Sequence, residues 1–482
     1  YAQLSDASAR FAAGLAKAGI ERERRIALLM LDTIDFPIAF WGALRAGIVP
    51  VPINTLLPAD ITEYILRDSR AAALVVSAPL LDPLRPVLDR LPALKQVIVS
   101  EPNGEPPHNP NATGFGAFLD SAAPTGEIAE CSPDEVAFWL YSSGSTGAPK
   151  GVRHLHSNLR ATSDTYGLQV LQIAPDDLVF SAAKLFFAYG LGNSMTFPMA
   201  VGAASVLFPD RPSPDAVLAT MQRFQPTIFA GVPTLYAALL AQNAIGPGAG
   251  SDRLRRCISA GEPLPEHIGR RWREVVGSDI LDGLGSTEML HIFLSNYPDD
   301  IRYGTTGKPV PEYEVRIVTE SGEDATDGDS GELIVKGPSA AEGYWNQRDK
   351  SRRTFRGEWT YTGDTYTRDG DYYRYCGRSD DMLKVSGIWV SPFEVEEALI
   401  GHAAVLEAAV IGHPDPEGLI KPKAFVVLQQ SAPRDDPETL CEALQNHVKE
   451  QIGVWKYPRW IEFCDNLPKT ATGKIQRYKL RQ

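Results

Sequence analysis

Apolar residues recur at helical spacing in "LSDASARFAAGLAKAG" and stop at a glycine, which predicts a first helix. "RIALLML" then reads as a short apolar strand, "DFPIAFWGALRAG" as a helix, "VPVPI" as a strand, residues 60–69 as a helix and "ALVVS" as a strand. Strands alternating with helices predict a mostly parallel sheet with both faces covered. The rhythm continues over 155–290, where "DLVFSAA", "ASVLF", "PTIFAG" and "CISAG" are strand-like. Near 305 the texture changes. "YEVRIVTESGEDATDGDSGELIVKG" predicts two strands joined by an acidic, turn-rich loop, and "DGDYYRYCGR" adds a turn and a strand, giving a small antiparallel β region. After "GRSDD" the pattern changes again. "SPFEVEEALIGH" predicts a helix with Ser391 as N-cap and Pro392 in its first turn, "AAVIGHP" and "KAFVVLQ" are strands, and 436–451 is an amphipathic helix. A domain boundary is expected close to Asp380.

With 482 residues the chain exceeds one ordinary hydrophobic core, so several domains are expected. Hydrophobic content of 44% and charged content of 22% are those of a globular protein in water. A formal charge of −13 disfavours nonspecific nucleic-acid binding but not a local anion pocket. Cysteines at 131, 257, 376, 441 and 464 are scattered, with no metal spacing. They predict buried free thiols and a reducing, cytoplasmic setting. The chain begins at Tyr1, which leaves what precedes it open. Residues Leu185–Pro209 carry no charge and have the length of a membrane span. Glycines, prolines and polar residues interrupt the segment, which therefore reads as a buried loop, helix and strand. His154 and His156 have H-x-H spacing without a third ligand nearby, so no metal site is assigned to them.

The stretch "YSSGSTGAPKG", 141–151, has linker composition. A buried-strand pattern, "DEVAFWLY", precedes it, and "GVRHLHSNL" returns to ordered structure, so the loop is pinned at both ends. Gly144 and Gly147 permit convergent backbone N–H groups. Ser142, Ser143, Ser145 and Thr146 add hydroxyls and Lys150 a charge. A Walker A loop is excluded, because no alignment satisfies G-x-x-x-x-G-K-[ST].

"YSSGSTGAPKG", "SAGEPLP", "DGLGSTE", "YTGDTY", "GRSDDMLKVSGIWVSPFEVE" and "LPKTATGKIQR" occur in this order. Together they resemble the adenylate-forming superfamily of acyl- and aryl-CoA synthetases, adenylation domains and firefly luciferases, across nearly the whole chain. "AKLFFAYGLGNSMTFPM" and "GSTEMLHIFLSN" look most like benzoate-CoA ligases. The resemblance implies an α/β fold. Its large N-terminal domain, 1–379, has two mixed or parallel α/β subdomains plus a small antiparallel β-barrel, and a small mobile α+β C-terminal domain, 380–482, follows. The implied reaction joins an aromatic carboxylate to ATP, giving acyl-AMP and pyrophosphate, and then to coenzyme A, with Mg²⁺ on the phosphates. The implied partners are these small molecules, without nucleic acid or membrane; a homodimer stays open.

Site residues follow from the same resemblance. Residues 142–147 and Lys150 would hold the β- and γ-phosphates. Thr287 would touch the α-phosphate and Glu288 would supply the metal-side carboxylate. On the residues alone, Ser286-Thr287-Glu288 reads rather as a helix start with an acid in its first turn. Lys474 would offset charge between the attacking carboxylate and the α-phosphate; on the residues alone it reads equally as an exposed lysine in a basic tail. Asp364 would accept both ribose hydroxyls, with Arg378 assisting. Ala260, Gly261 and Glu262 would border adenine on one side and Asp282, Gly283, Leu284, Gly285 and Ser286 on the other. Leu284 stands where many relatives carry a stacking aromatic. Asp380 would be the hinge, and Lys384, Ser386, Gly387 and Trp389 would line the pantetheine tunnel.

The acid wall would comprise Phe187, Ala188, Tyr189 and Gly190, faced by His291 and Ile292. A helix over 287–293 would put His291 and Ile292 on the face of Glu288. No aspartate stands near 187–188 to pair with a substrate ammonium, which disfavours amino acids. Flat aromatic walls suit benzoate or a ring analogue, and polar tips on Tyr189 and His291 would tolerate a substituent. Loading of a carrier protein, another hydrophobic acid, a luciferase-like oxygenase and a nucleotide-binding regulator are the competing readings.

Overall fold

The computed structural model describes residues 1–88, 90–101, 112–144, 147–379, 381–385, 388–417, 419–430, 432, 436–453, 456–469 and 475–481. The chain divides into two compact units. The first comprises Tyr1–Tyr303, Gly307–Glu314 and Val335–Thr360, and the second Gly304–Thr306, Val315–Ile334 and Tyr361–Gln482.

In the first unit, strands β1 (Arg25–Leu29), β2 (Val49–Pro52), β3 (Ala73–Ser77), β4 (Gln96–Ser100) and β5 (Ala112–Gly114) form a parallel sheet in the order β2-β1-β3-β4-β5. Alternate residues of one strand serve opposite cores. Ile26 and Leu28 pack with Phe11, Phe36 and Phe40, while Ala27 and Leu29 pack with Ile65, Leu74 and Val97. Both faces are thus buried, which is why the strands read as unbroken apolar runs. The helices Ala2–Lys17, Asp35–Arg45 and Ala59–Ser69 lie where the apolar spacing predicts.

Strands β6 (Val136–Gly144) and β7 (Gly147–Leu155) make an antiparallel hairpin. The second sheet contains β8 (Leu178–Ser181), β9 (Ala204–Val206), β10 (Ile228–Gly231), β11 (Arg256–Ala260), β12 (Ile280–Gly285), β13 (Ile292–Ser295) and β14 (Lys308–Pro309), in the order β14-β13-β12-β11-β10-β8-β9. Pairing is parallel from β12 through β9, whereas β13 and β14 are antiparallel. Ligands of such sheets bind beyond the carboxyl ends of the parallel strands. The uncharged segment 185–209 folds as short helices, Ala188–Leu191 and Phe197–Val201, leading into β9. No helix among the described residues is long and apolar enough to cross a membrane.

Downstream strands are β15 (Glu314–Val318), β16 (Gly331–Lys336), β17 (Gly343–Tyr344), β18 (Phe355–Arg356), β19 (Trp359–Asp369) and β20 (Tyr372–Arg378). Within the first unit β17 extends the hairpin by pairing with β7, and β18 pairs with the start of β19. Within the second unit the rest of β19 pairs antiparallel with β20. The second unit also holds a hairpin of β21 (Leu383–Val385) and β22 (Ile388–Val390). Its last sheet is β23 (Val405–Pro414), β24 (Ile420–Leu428) and β25 (Trp460–Phe463). Helices Pro392–Ile400 and Pro437–Ile452 cover that sheet through Val395, Leu399, Leu444 and Val448. Ser391 caps the first of these by accepting the Glu394 N–H, as its sequence predicts. The five cysteines are free; Cys257 is buried and the other four are half-buried, so the expectation of buried thiols holds for one of them.

Candidate active site

The glycine-serine stretch is the tip of the β6–β7 hairpin. Tyr141 pairs with Gly151, Ser142 with Lys150 and Gly144 with Gly147, with a register shift between Ser142 and Gly144. Strand pairing on both sides rules out a spacer. Ser145 and Thr146 lie outside the described residues, and Ser143, Gly144 and Gly147 are described by backbone pairing alone. The Ser142 hydroxyl is buried without a hydrogen-bond partner among the described residues. The hairpin is tied to the helix Ala59–Ser69, where Tyr141 Oη donates to Asp68 Oδ2 at 2.6 Å; Trp345 Nε1, just beyond β17, donates to the Asp68 carbonyl at 2.9 Å.

Lys150 leaves β7 toward Glu288. Its Nζ lies 3.2 Å from Glu288 Oε1 and 3.0 Å from Tyr344 Oη, and the tyrosine hydroxyl donates to the same Oε1 at 2.7 Å. Burial works to raise the Glu288 carboxyl, but the Lys150 charge and the Tyr344 hydrogen bond outweigh it and hold it below the usual carboxylate range. The site thus keeps one ionised carboxylate, matched by one ammonium. Mg²⁺ typically takes one or two carboxylates plus substrate phosphates, so a lone Glu288 fits that ion. No cluster of three or more potential ligands occurs among the described residues.

The expected helix over 287–293 is not present. Gly285 and Leu284 pair antiparallel with Ile292 and Leu294, so the chain must reverse between β12 and β13. It does so in a turn: Ser286 Oγ accepts the Met289 N–H at 3.1 Å, and Leu290 adopts a φ of 63°. That left-handed residue is incompatible with a helix continuing through it. Glu288 and His291 therefore flank a turn rather than share a helical face. Gly285 is required at the close, since a Cβ there would sit 2.7 Å from the His291 carbonyl oxygen.

His291 is buried against Tyr166, Tyr189 and Phe197, with ring centroids 5.2, 5.8 and 4.6 Å away. Its Nε2 lies 3.4 Å from the Tyr189 carbonyl, and Nδ1 has no partner among the described residues. Burial depresses its pKa to about 3, against the opposing pull of that carbonyl, so the ring is neutral. Phe187 stands at the start of the helix Ala188–Leu191. Tyr189 Oη is 3.1 Å from both the Gly231 and Ile258 carbonyls, spanning the ends of β10 and β11. That hydroxyl donates to backbone, leaving it acceptor capacity alone, whereas His291 Nδ1 has no partner among the described residues. Ile292 is buried and faces Gly283.

β11 and β12 bring the predicted adenine residues together, with Ser259 opposite Asp282 and Ala260 opposite Gly283. Gly261, at a φ of 95°, and Glu262 follow directly. Leu284 is only partly buried. Asp282 is buried, accepts from Leu264 N at 3.4 Å, and leaves Oδ1 unpartnered among the described residues. Burial pushes its carboxyl up to about 8.

In the second unit Asp364 and Arg378 are direct cross-strand partners on β19 and β20, with Nη1 2.9 Å from Oδ1. Lys384 and Trp389 are opposite one another in the β21–β22 register, and their side chains lie outside the described set. Asp380, Ser386, Gly387 and Lys474 lie outside the described residues altogether. Three buried polar groups were not singled out from the sequence. Tyr344, in "EGYWN", completes the lysine–glutamate pair. Glu396 is a buried carboxylate held by Arg477, Nη2 to Oε2 at 2.6 Å. Asp32 is taken up below. Paired aromatics in a glycine-led loop were the available signal for Tyr344.

A glycine-serine hairpin, a lysine-matched buried carboxylate and the parallel strands of the seven-stranded sheet are the arrangement expected of an adenylate-forming enzyme. The chain belongs to the AMP-binding enzyme family, whose model matches residues 1–345, with the AMP-binding enzyme C-terminal domain matching 394–474. It is 53% identical over 483 residues to a 4-hydroxybenzoate–CoA/benzoate–CoA ligase of Rhodopseudomonas palustris, covering all of this chain and 88% of the relative. It is 54% identical to a benzoate–CoA ligase of Thauera aromatica, covering 96% and 86%. Among solved structures, a benzoate CoA ligase from Burkholderia xenovorans superposes with a TM-score of 0.91 at 49% identity, covering 100% and 94% of the two chains. An anthranilate CoA ligase in complex with anthranoyl-AMP gives 0.92 at 44%, covering 99% and 91%.

Proposed function

We infer that this protein is an AMP-forming aryl-CoA ligase that activates benzoate or a close ring analogue. The carboxylate oxygen attacks the α-phosphorus of ATP and pyrophosphate leaves. The CoA thiol then attacks the acyl carbon and AMP leaves. The reading is carried by the acid wall at the end of β8, where Phe187, Tyr189 and a neutral His291 offer aromatic faces and no charge. A substrate ammonium would be buried there without a partner.

The Ser142 hydroxyl and the hairpin backbone bind the polyphosphate, and Lys150 moves its ammonium from Glu288 toward phosphate oxygen. When bound, Mg²⁺ supplies positive charge to the polyphosphate, with Glu288 as its protein ligand. Thr287 orients the α-phosphate. Asp364, with Arg378, holds the ribose. The segment after the hinge at Asp380 works as a separate C-terminal domain, 380–482. It delivers Lys474 to the first half-reaction and the β21–β22 hairpin, with Lys384, Ser386, Gly387 and Trp389, to the thiol in the second. The free cysteines favour a cytoplasmic setting.

A panel of benzoate, hydroxy-, amino- and fluorobenzoates, fatty acids and amino acids, each with ATP, Mg²⁺ and CoA and read as AMP release, tests the substrate class. Benzoates are expected to turn over and amino acids to fail; a preference for fatty acids contradicts the reading. Lys474→Ala is expected to lower benzoyl-AMP formation about 10²–10³-fold while thioester formation from supplied benzoyl-AMP survives. Equal loss of both argues against separate poses.

A further inference from the structure

Asp32 lies just beyond β1, 3% exposed. Both carboxylate oxygens accept from one donor, the Leu185 backbone N–H, at 3.2 and 3.3 Å. No cation pairs with it among the described residues. Lys184, the charge that acts on it, turns its ammonium to the carbonyls of Phe208 and Asp210. A buried carboxylate without an ion pair costs stability. Burial pushes its pKa up to about 7. Such a group is a poor choice for holding a fold together.

Its single bond is informative because a peptide unit is rigid. The N–H that Asp32 accepts belongs to the Lys184–Leu185 peptide, and the carbonyl of that peptide accepts the Phe187 N–H at 3.0 Å. The same carbonyl oxygen lies against Gly190, where a Cβ would be only 2.1 Å from it; the Ala183 oxygen would be 2.5 Å away. Turning the Lys184–Leu185 plane therefore moves Phe187 and the helix Ala188–Leu191 with it. Leu185 is fully buried, so the loop has no slack on its other side.

We propose that Asp32 is a positioning residue for the acid pocket, orienting the Lys184–Leu185 peptide and thereby setting where Phe187 to Gly190 meet the aromatic carboxylate. This rests on the assignment of those residues as the acid wall. Asp32 touches no substrate; a carboxylate from the first sheet fixes a loop that leaves the second.

The test compares Asp32→Ala and the isosteric Asp32→Asn, with KM values for benzoate, ATP and CoA and the thermal midpoint. Asp32→Ala is expected to raise the benzoate KM about tenfold while the ATP and CoA values stay within about twofold. The Asn variant, which keeps a carbonyl acceptor for Leu185, is expected to lie between Ala and the parent. The Asn variant, which keeps an acceptor and removes a buried charge, is expected to hold the thermal midpoint, while Asp32→Ala, which leaves the buried Leu185 N–H without an acceptor, is expected to lower it by a few degrees. An unchanged benzoate KM, or all three KM values rising together with a lower midpoint, overturns the proposal. Ala188→Phe serves as the control. If it leaves the benzoate KM untouched, the acid-wall assignment itself fails. If it raises that KM while the Asp32 variants do not, only the role of Asp32 fails.

Discussion

At the residue scale, Lys150, Glu288 and Tyr344 form a closed triangle in which one buried carboxylate is matched by one ammonium. Tyr344 supplies a hydrogen bond to an ionised carboxylate and an acceptor to the ammonium that balances it. Bonds of this kind contribute about 1.5–3 kcal/mol, or roughly 10–100-fold in rate. Tyr344→Phe should therefore slow ATP–pyrophosphate exchange by about that factor. Thioester formation from supplied benzoyl-AMP should be unaffected, and unchanged exchange would show that the hydroxyl is dispensable. Asp32 was not legible in the sequence, and for Tyr344 the only local signal was its place in "EGYWN", which does not reveal its partner. Lys150 and Tyr344 are 194 positions apart, and Asp32 and Leu185 are 153 apart. Local periodicity carries no information about such pairs. Glu288, Asp364 and Lys474 were assigned through family resemblance, since a turn acid, a strand acid and a tail lysine have no distinguishing local pattern.

At the level of elements, the parallel strands were readable because burial on both faces leaves them continuously apolar, and the helix Pro392–Ile400 because its cap is local. The hairpin was readable only through its flanks, since Gly/Ser composition alone suits a linker equally well. The segment 287–293 misled because helical spacing does not reveal that β13 must return antiparallel to β12. The short helix Ala188–Leu191 packs closely on the chain before it, with Gly190 against the Lys184 and Ala183 carbonyls. Gly190→Ala would drive a methyl into the Lys184 carbonyl. Overpacking of this kind costs about 1–3 kcal/mol. The expected readout is a lower thermal midpoint together with a raised benzoate KM, and wild-type values for both would mean that the loop can yield.

Across the whole molecule, four buried groups oppose one another in their pH dependence. Burial lowers His154 to about 4 and His291 to about 3, and raises Asp32 to about 7 and Asp282 to about 8. Each histidine stabilises the folded chain above its unfolded pKa and loses that contribution as pH falls. Each aspartate does the reverse: its contribution is full below about pH 4 and is lost as pH rises through its folded value. Between about pH 4 and 6.5 the two pairs cancel, at about 1.4 kcal/mol per group per pH unit. Above that window only the aspartates still titrate, so their contribution falls as the medium becomes alkaline. Asp282→Asn should accordingly gain stability over the parent by an amount that grows from about pH 4 to pH 8, measured by calorimetry. A difference independent of pH would remove Asp282 from the balance.

On the proposed assignment, Phe187–Gly190 follow β8, the adenine-bordering residues leave from β11 and β12, and His291 and Ile292 lie where β12 turns into β13, with β10 standing between β8 and β11. If that assignment holds, substitutions confined to the one excursion after β8 would reshape one wall of the ring pocket while leaving the strands that carry the nucleotide residues untouched.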